Sequence, residues 1–402
     1  MRRTRATALA LATLALAGCQ AEPASPAHVS ASQPLSTTVS PPARARELST
    51  DAARKPRAGE LTVLTTLRGM SGTTRNGVLA LSPDGHALVG VNPPPVQGSL
   101  IAQTRMQVMS GAKRSWLPAT QKEALPRQAF DGTMPNDATA AWLETRSTDL
   151  FDVDWKVFGW SHGQVRLLAD SDTFAKGHPL PPAAGGDHLI ASDGKSVWWS
   201  FRKAGTDLPI ATNIATVELD GAPHPRVFVE GADLPTVDPR GGLVYVRDPN
   251  TAPDSVGYDI RLRRGARDEI IYHGTVGDVG FISELCVGPD VVAWAIPVEA
   301  DDGGTIKMLN RSTRDVQTIR LRDSARGTEL VCGDDFIAWG NGSGDGDAGQ
   351  YLWSLKTGSP VKLGEAFGVS RVKAAGHYVA WTLPPTSPQA SANVRLARWN
   401  GG

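Results

Sequence analysis

The sequence predicts an all-β protein, a β-propeller of seven four-stranded blades closed by the chain's own N-terminal strand. Three observations predict it: a strand–turn–strand phrase that recurs along the chain, tryptophans at a near-constant period, and a spare strand at one end matched by a missing strand at the other. Helical periodicity is hard to find. The 42 glycines and 29 prolines among 402 residues suit a chain that turns this often.

The phrase is an apolar strand, a tight turn, and a second apolar strand that often ends in an aromatic residue. It reads Val78-Leu79-Ala80-Leu81, Ser82-Pro83-Asp84-Gly85, Ala87-Leu88-Val89-Gly90-Val91. It returns as Glu284-Leu285-Cys286-Val287 before Val291-Val292-Ala293-Trp294, as Glu329-Leu330-Val331-Cys332 before Phe336-Ile337-Ala338-Trp339, and as Arg371-Val372-Lys373-Ala374 before Tyr378-Val379-Ala380-Trp381. Trp294, Trp339 and Trp381 fall 45 and 42 residues apart, a period that belongs to four-stranded propeller blades. Weaker copies end at Trp142, at Trp198-Trp199 and at Tyr245. Two further strands joined by a polar hairpin follow each copy, as in Ile306–Leu309, Asn310-Arg311-Ser312-Thr313 and Val316–Ile319, and such turns supply the backbone angles a tight hairpin needs.

Counting inner strand pairs gives seven, near Val78, Ala138, Leu189, Leu243, Leu285, Val331 and Val372. The last has a third strand, Val394 to Trp399, and then the chain stops. Leu61 to Leu67 is a strand without a blade of its own. Pairing these two segments would close the ring and remove its exposed edges.

Ahead of the propeller, assigned to residues 60–402, lie two segments of different character. Residues 1–18 read as a signal peptide: Arg2, Arg3 and Arg5 precede a short apolar run from Ala6 to Ala17, too short to span a bilayer. Its end, Leu16-Ala17-Gly18-Cys19, resembles the lipobox of bacterial lipoproteins. That resemblance implies a diacylglyceryl group on Cys19, which would become the new N-terminus, and a place on the extracytoplasmic face of a membrane. The paired Arg2-Arg3 leaves the export route open between the general and twin-arginine pathways. Residues 19–59, rich in Ala, Pro, Ser and Thr, bury too little apolar surface to offset their ordering entropy and are expected to be a disordered, lipidated tether.

Lys plus Arg and Asp plus Glu balance at 41 each, which argues against a nucleic-acid partner, since that needs a surplus of positive charge. Of 3 cysteines, Cys286 and Cys332 remain after Cys19. Aligned on Trp294 and Trp339, they lie one residue out of step on adjacent blades, so their side chains point to opposite faces of their own sheets. Neighbouring sheets face each other in that way. A disulfide between the two blades is expected, against the alternative of two buried thiols.

Gly159-Trp160-Ser161-His162-Gly163 matches the serine-hydrolase pattern G-x-S-x-G, which works only on a sharp strand-to-helix turn. Here it sits where other blades have a hairpin, and no helix follows, so it reads as a turn. Asp345 and Asp347, in the loop Ser343 to Gly349, are a weak calcium candidate: close carboxylates suit that cation, but a full set of oxygen ligands is absent. The histidines are scattered without a metal-ligand spacing. No catalytic set and no cofactor site announces itself.

Ser82-Pro83-Asp84-Gly85 followed by an apolar strand resembles the WD40-like repeat of TolB-type bacterial propellers, with Asp193-Gly194 and Asp238-Pro239 as degenerate versions and Leu352 to Gly358 as its third strand and turn. TolB has a separate α/β domain before its propeller, and the tether occupies that place here. The resemblance implies a protein-binding module of the periplasm or cell surface without catalytic residues. The functional expectation is therefore a membrane-anchored, non-catalytic module that binds a protein or ligand of the cell envelope. The alternative is an envelope hydrolase or lyase with its active site at the mouth of the propeller channel. Ionisable side chains from several blades meeting in the channel would favour that alternative. If Cys286 and Cys332 are joined, a thiol titration of denatured, unreduced protein finds no reactive thiol; two would refute the bridge.

Overall fold

The computed structural model describes residues 46–95, 101–120, 126–146, 154–175, 189–202, 212–247, 257–275, 282–296, 304–321, 329–340, 349–365, 371–385 and 392–401. Cys19, Asp345 and Asp347 lie outside the described residues. No described helix is long and apolar enough to cross a membrane.

Seven antiparallel sheets follow one another along the chain, with inner strands Thr74–Leu81, Gln128–Asn136, Ile190–Ser192, Ala232–Val237, Glu284–Val287, Glu329–Cys332 and Val372–Ala375. Each inner strand touches the next, and that of blade 7 touches that of blade 1. The ring is a seven-bladed propeller. Blade 7 is completed by Leu61–Leu67, which pairs antiparallel with Asn393–Trp399, from Leu61 beside Trp399 to Leu67 beside Val394. The Gly69 amide donates to the Asn393 carboxamide at 3.0 Å and strengthens the join.

The apolar core is not one body but seven seams. Every cluster of buried side chains mixes residues of two adjacent blades: Trp142 and Leu88 between blades 1 and 2, Trp155 and Trp199 between 2 and 3, Tyr245 and Ile214 between 3 and 4, Trp294 and Tyr258 between 4 and 5. Trp339 and Ile306 fill seam 5/6, Trp381 and Leu352 seam 6/7, and Leu396 and Val89 seam 7/1. The periodic tryptophans are thus seam fillers. Each buries the large area that makes an aromatic ring the best single contribution to such a contact.

Polar contacts tie the same seams. Gln350, fully buried, donates to the Thr382 carbonyl at 2.7 Å and accepts from the Thr382 amide at 2.9 Å, joining blades 6 and 7. Cys286 and Cys332 form the bridge between blades 5 and 6, with Cα atoms 5.4 Å apart as a disulfide requires. Their separation of 46 residues corresponds to about 4 kcal/mol of removed unfolded-state entropy. At seam 7/1, Gly85 has φ +82°, and a Cβ there would lie 2.6 Å from the Tyr378 ring. Backbone angle and close approach both require glycine at that turn.

Residues 46–59 differ from the expected tether. Arg46–Ser49 adds a parallel strand to the outer edge of blade 5, Arg46 lying beside Gln317 and Ser49 beside Arg320. Leu48 and Ala53 pack on seam 5/6. Arg54 then bridges to Val361 on blade 6, and its guanidinium grips Glu60 through two bonds of 2.6 and 2.7 Å. Composition suggested disorder because this stretch has little apolar surface of its own. The ring supplies the missing partner edge. Deleting residues 60–68 should lower the melting temperature by at least 15 °C or abolish cooperative unfolding; an unchanged melting curve by circular dichroism would refute closure by this strand.

Candidate functional site

The two ends of the ring are built differently. Inner and second strands are joined by only two to five residues, whereas second and third strands are joined by seven to twelve. Short turns therefore frame one mouth of the channel. Prolines recur there: Pro83, Pro135, Pro239 and Pro289 come from four different blades. Proline offers a carbonyl but no N–H, so each of these positions lacks a backbone donor.

Behind it lies a cavity of about 600 Å³, lined by residues of all seven inner strands and their turns. Its size falls in the range of small-molecule sites. Leu79, Met134, Ile190, Leu285 and Leu330 are among the residues around it, with their side chains packed in the seams. The cavity's lining residue Lys373 contacts two carboxylates, Glu329 and Asp131, which are not among the lining residues. Lys373 of blade 7 donates to Glu329 of blade 6 at 2.6 Å and approaches Asp131 of blade 2 at 4.0 Å. Lys373 also borders a smaller cavity of about 200 Å³ between blades 7 and 1, beside Arg371 and Thr382.

Local structure explains how each group arrives. Lys373 occupies the inner-strand position that Cys286 holds in blade 5 and Val331 in blade 6, each opposite the alanine before the seam tryptophan. Asp131 follows a register shift at Phe130, and such a bulge re-aims side chains. Its carboxylate accepts from the amides of Leu189 at 2.8 Å, Ile190 at 3.3 Å and Gly132 at 2.8 Å, which fixes it against blade 3. Glu329 accepts from the Val372 amide at 2.7 Å. Burial by itself would lower the pKa of Lys373, but the charges of Glu329 and Asp131 outweigh it and raise the pKa above the ordinary lysine value. Lys373 is thus a fixed ammonium in a low-dielectric channel. Such a group can polarise a carbonyl or stabilise an oxyanion, and a neighbouring carboxylate can take a proton from water.

The expected turn at Gly159–Gly163 is a turn. Ser161 ends one strand and Gln164 begins the next. Ser161 Oγ donates to Asp220 Oδ1 at 2.7 Å, while His162 Nε2 lies 3.4 Å from the other oxygen of the same carboxylate. The carboxylate is the hub, so the imidazole does not stand between serine and acid as a hydrolase triad requires. Among the described residues no group of three or more metal-ligating side chains gathers.

At the short-turn mouth Asp238 is an electrostatic knot with no exposed side-chain surface. Arg311 of blade 5 grips it through two bonds of 2.7 Å, and Arg264 of blade 4 adds one of 2.8 Å. The Arg240 amide donates at 2.9 Å. Burial alone would raise the pKa of Asp238, but Arg311, the Arg240 amide and Arg264 together hold it below the usual carboxylate range.

Sequence reasoning missed Lys373, Glu329 and Asp131 as a group. The signal was present, since all three are ionisable residues within strands that otherwise read as apolar inner strands. Their convergence depends on which blades are adjacent and on a bulge, and neither is written in local spacing.

No family model and no curated protein matches the chain. Among solved structures, the ring is similar to a Mycobacterium tuberculosis puromycin-hydrolyzing peptidase, with 15% identity and a TM-score of 0.51 over 85% of this chain and 55% of that one. It is similar to a Pyrococcus horikoshii acylaminoacyl peptidase at 8% identity and the same TM-score, over 83% of this chain and 54% of that one. The chain spans just over half the length of these proteins, and the likeness is one of fold. The expectation of a non-catalytic binding module, not an enzyme, is corrected on this finding. Both of these proteins are peptidases, and ionisable groups from three blades meet at Lys373 beside the channel.

Asp238 has a testable energetic consequence. A carboxylate held below its unfolded value of about 3.9 contributes stability above that pH and loses it as pH falls through the depressed value. Asp238→Asn should cost about 3 kcal/mol at pH 7 by stranding Arg311, and the gap from the unaltered protein should narrow below about pH 4. Urea unfolding at pH 7 and pH 3 measures both; a gap that widened in acid would contradict this account.

Proposed function

We propose that this chain is a hydrolase of peptide-like amides that works in the propeller channel. The observation that carries the reading is the meeting of Lys373, Glu329 and Asp131 inside a ring of peptidase-propeller shape. A substrate carbonyl placed at the Lys373 ammonium is polarised, and its oxygen becomes an oxyanion held by that charge. A water beside Glu329 gives its proton to the carboxylate as its oxygen bonds to the carbonyl carbon. Glu329 then passes the proton to the leaving nitrogen as the C–N bond breaks. Asp131, fixed by three backbone amides, keeps Lys373 charged and in place.

Anchoring through acylated Cys19 would hold this activity on the outer side of a membrane. A short-turn mouth rich in proline keeps its shape while substrate enters, and an envelope protein seated on the ring would act as a partner in delivery.

The test uses the purified protein with puromycin, short peptides and amino acid amides, with products followed by mass spectrometry. Cleavage above background is expected for the unaltered protein. Glu329→Gln, melting within a few degrees of it, should lose about 100-fold or more in kcat/KM, the size of a general-base contribution. Absence of turnover across the panel would overturn the proposal, as would full activity in Glu329→Gln.

A further inference from the structure

The perimeter of the ring is not uniform in charge. We infer that the outer rim of blades 7 and 1 is a docking surface for an anionic phospholipid membrane, which the ring meets side-on. This rests neither on the hydrolase reading nor on acylation of Cys19.

Three observations carry it. First, acids and bases balance over the whole chain, but residues 61–120 and 371–402, which supply blades 1 and 7, hold nine Lys and Arg and a single acid, Asp84. Lys373 is engaged by Glu329 and Asp131. Arg68, Arg75, Arg105, Lys113 and Arg114 are exposed, and none of the five forms an ion pair among the described residues. Arg75 and Arg105 stand opposite neighbouring residues of one strand, Asn92 and Val91. Arg68 is held at the same end of the blade, where the Asn76 carboxamide donates to its carbonyl at 2.9 Å. Asp84 lies beyond the opposite end of the strand Thr74–Leu81, and on the flanking blades Asp154 is held by Arg127 and Arg146 and Glu365 by Lys362.

Second, four large apolar side chains are exposed among the described residues, and three of them, Val63, Leu64 and Trp116, stand on the outer strands of these same two blades. Leu64 is the extra residue of a bulge between Val63 and Thr65, a device that re-aims a side chain. Third, the Arg105 guanidinium lies 4.3 Å from the centre of the Trp116 ring. An indole under a cation joins an apolar body to a charged head, which suits the boundary between acyl chains and phosphates. A nucleic acid would use the arginines but has no use for Val63 and Leu64. The core of a protein interface is depleted in charge, whereas here charged and apolar side chains stand together. Arg75 and Arg105 sit where the long connections join blade 1, so a ring docked by them keeps its short-turn mouth turned away from the lipid.

Sedimentation with vesicles tests this on the unacylated chain from residue 20 onward, which retains every described residue. Vesicles of phosphatidylcholine with about one-third phosphatidylglycerol should bind at least tenfold more tightly than phosphatidylcholine alone, and the preference should shrink as salt is raised. Each arginine or lysine beside an anionic surface strengthens binding about fivefold. Arg75→Gln combined with Arg105→Gln should therefore weaken anionic binding at least tenfold. Trp116→Ala, which leaves the charge unchanged, should weaken it several-fold. Lys195→Gln combined with Arg226→Gln, which removes two exposed charges from blade 3, should change it less than twofold. Lys113→Gln combined with Arg114→Gln serves as the rim variant if the first pair does not melt like the unaltered protein.

Equal binding to neutral and anionic vesicles would overturn the inference, as would a rim variant no weaker than the blade 3 control, or unchanged binding in Trp116→Ala. Tighter binding to duplex DNA than to anionic vesicles, lost in the rim variant, would overturn it in favour of a nucleic-acid surface. None of these outcomes bears on amide hydrolysis, which is followed separately in the absence of vesicles.

Discussion

The antiparallel pairing of Leu61–Leu67 with Asn393–Trp399 is the contact on which the other blades depend. A single four-stranded sheet exposes two faces and two edges, and neither face can be buried without a neighbour. Here every apolar cluster is shared between two blades, so no blade owns a core. Closing the ring turns seven half-buried sheets into seven complete seams. An open ring would leave blade 7 short of its outer strand and the seam at Leu67 without one of its fillers.

Seams of similar shape are secured by different chemistry. A disulfide joins blades 5 and 6, a buried glutamine and threonine join 6 and 7, and a bidentate arginine–aspartate pair joins 4 and 5. An aromatic ring against a glycine joins 7 and 1. These ties are directional where hydrophobic burial is not, so they fix register as well as adding stability. The same logic holds in the channel. Burying Lys373, Glu329 and Asp131 carries a desolvation cost that an apolar triad would avoid. Backbone amides hold Asp131 and Glu329 in a fixed geometry, and Lys373 is held by these carboxylates.

The architecture was legible because its cause is repetitive. Trp294, Trp339 and Trp381 recur because each fills an equivalent seam, and the spare strand at Leu61 was legible because strands must pair. Cys286 and Cys332 were legible through strand alternation, which sets side-chain direction whatever the context. The strand at Arg46–Ser49 was not, because its stability comes from the edge it lies on and not from its own residues. Lys373, Glu329 and Asp131 were hidden for a related reason: Glu329 and Lys373 are 44 residues apart, Asp131 lies 198 and 242 residues from them, and only closure of the ring makes blades 2, 6 and 7 neighbours of one channel. The functional expectation weighed motifs along the chain, whereas this ionisable cluster gathers across it.

The segment from Arg46 to Glu60 runs over blades 5 and 6 before it enters blade 7. Mechanical load applied N-terminal to Arg46 meets that parallel strand first. Its ladder of bonds to Gln317–Arg320 and the Arg54–Glu60 clamp must yield before force reaches Leu61. The closing strand is therefore shielded by a sacrificial fastening, and a tug that peels the fastening away leaves the circle of sheets shut.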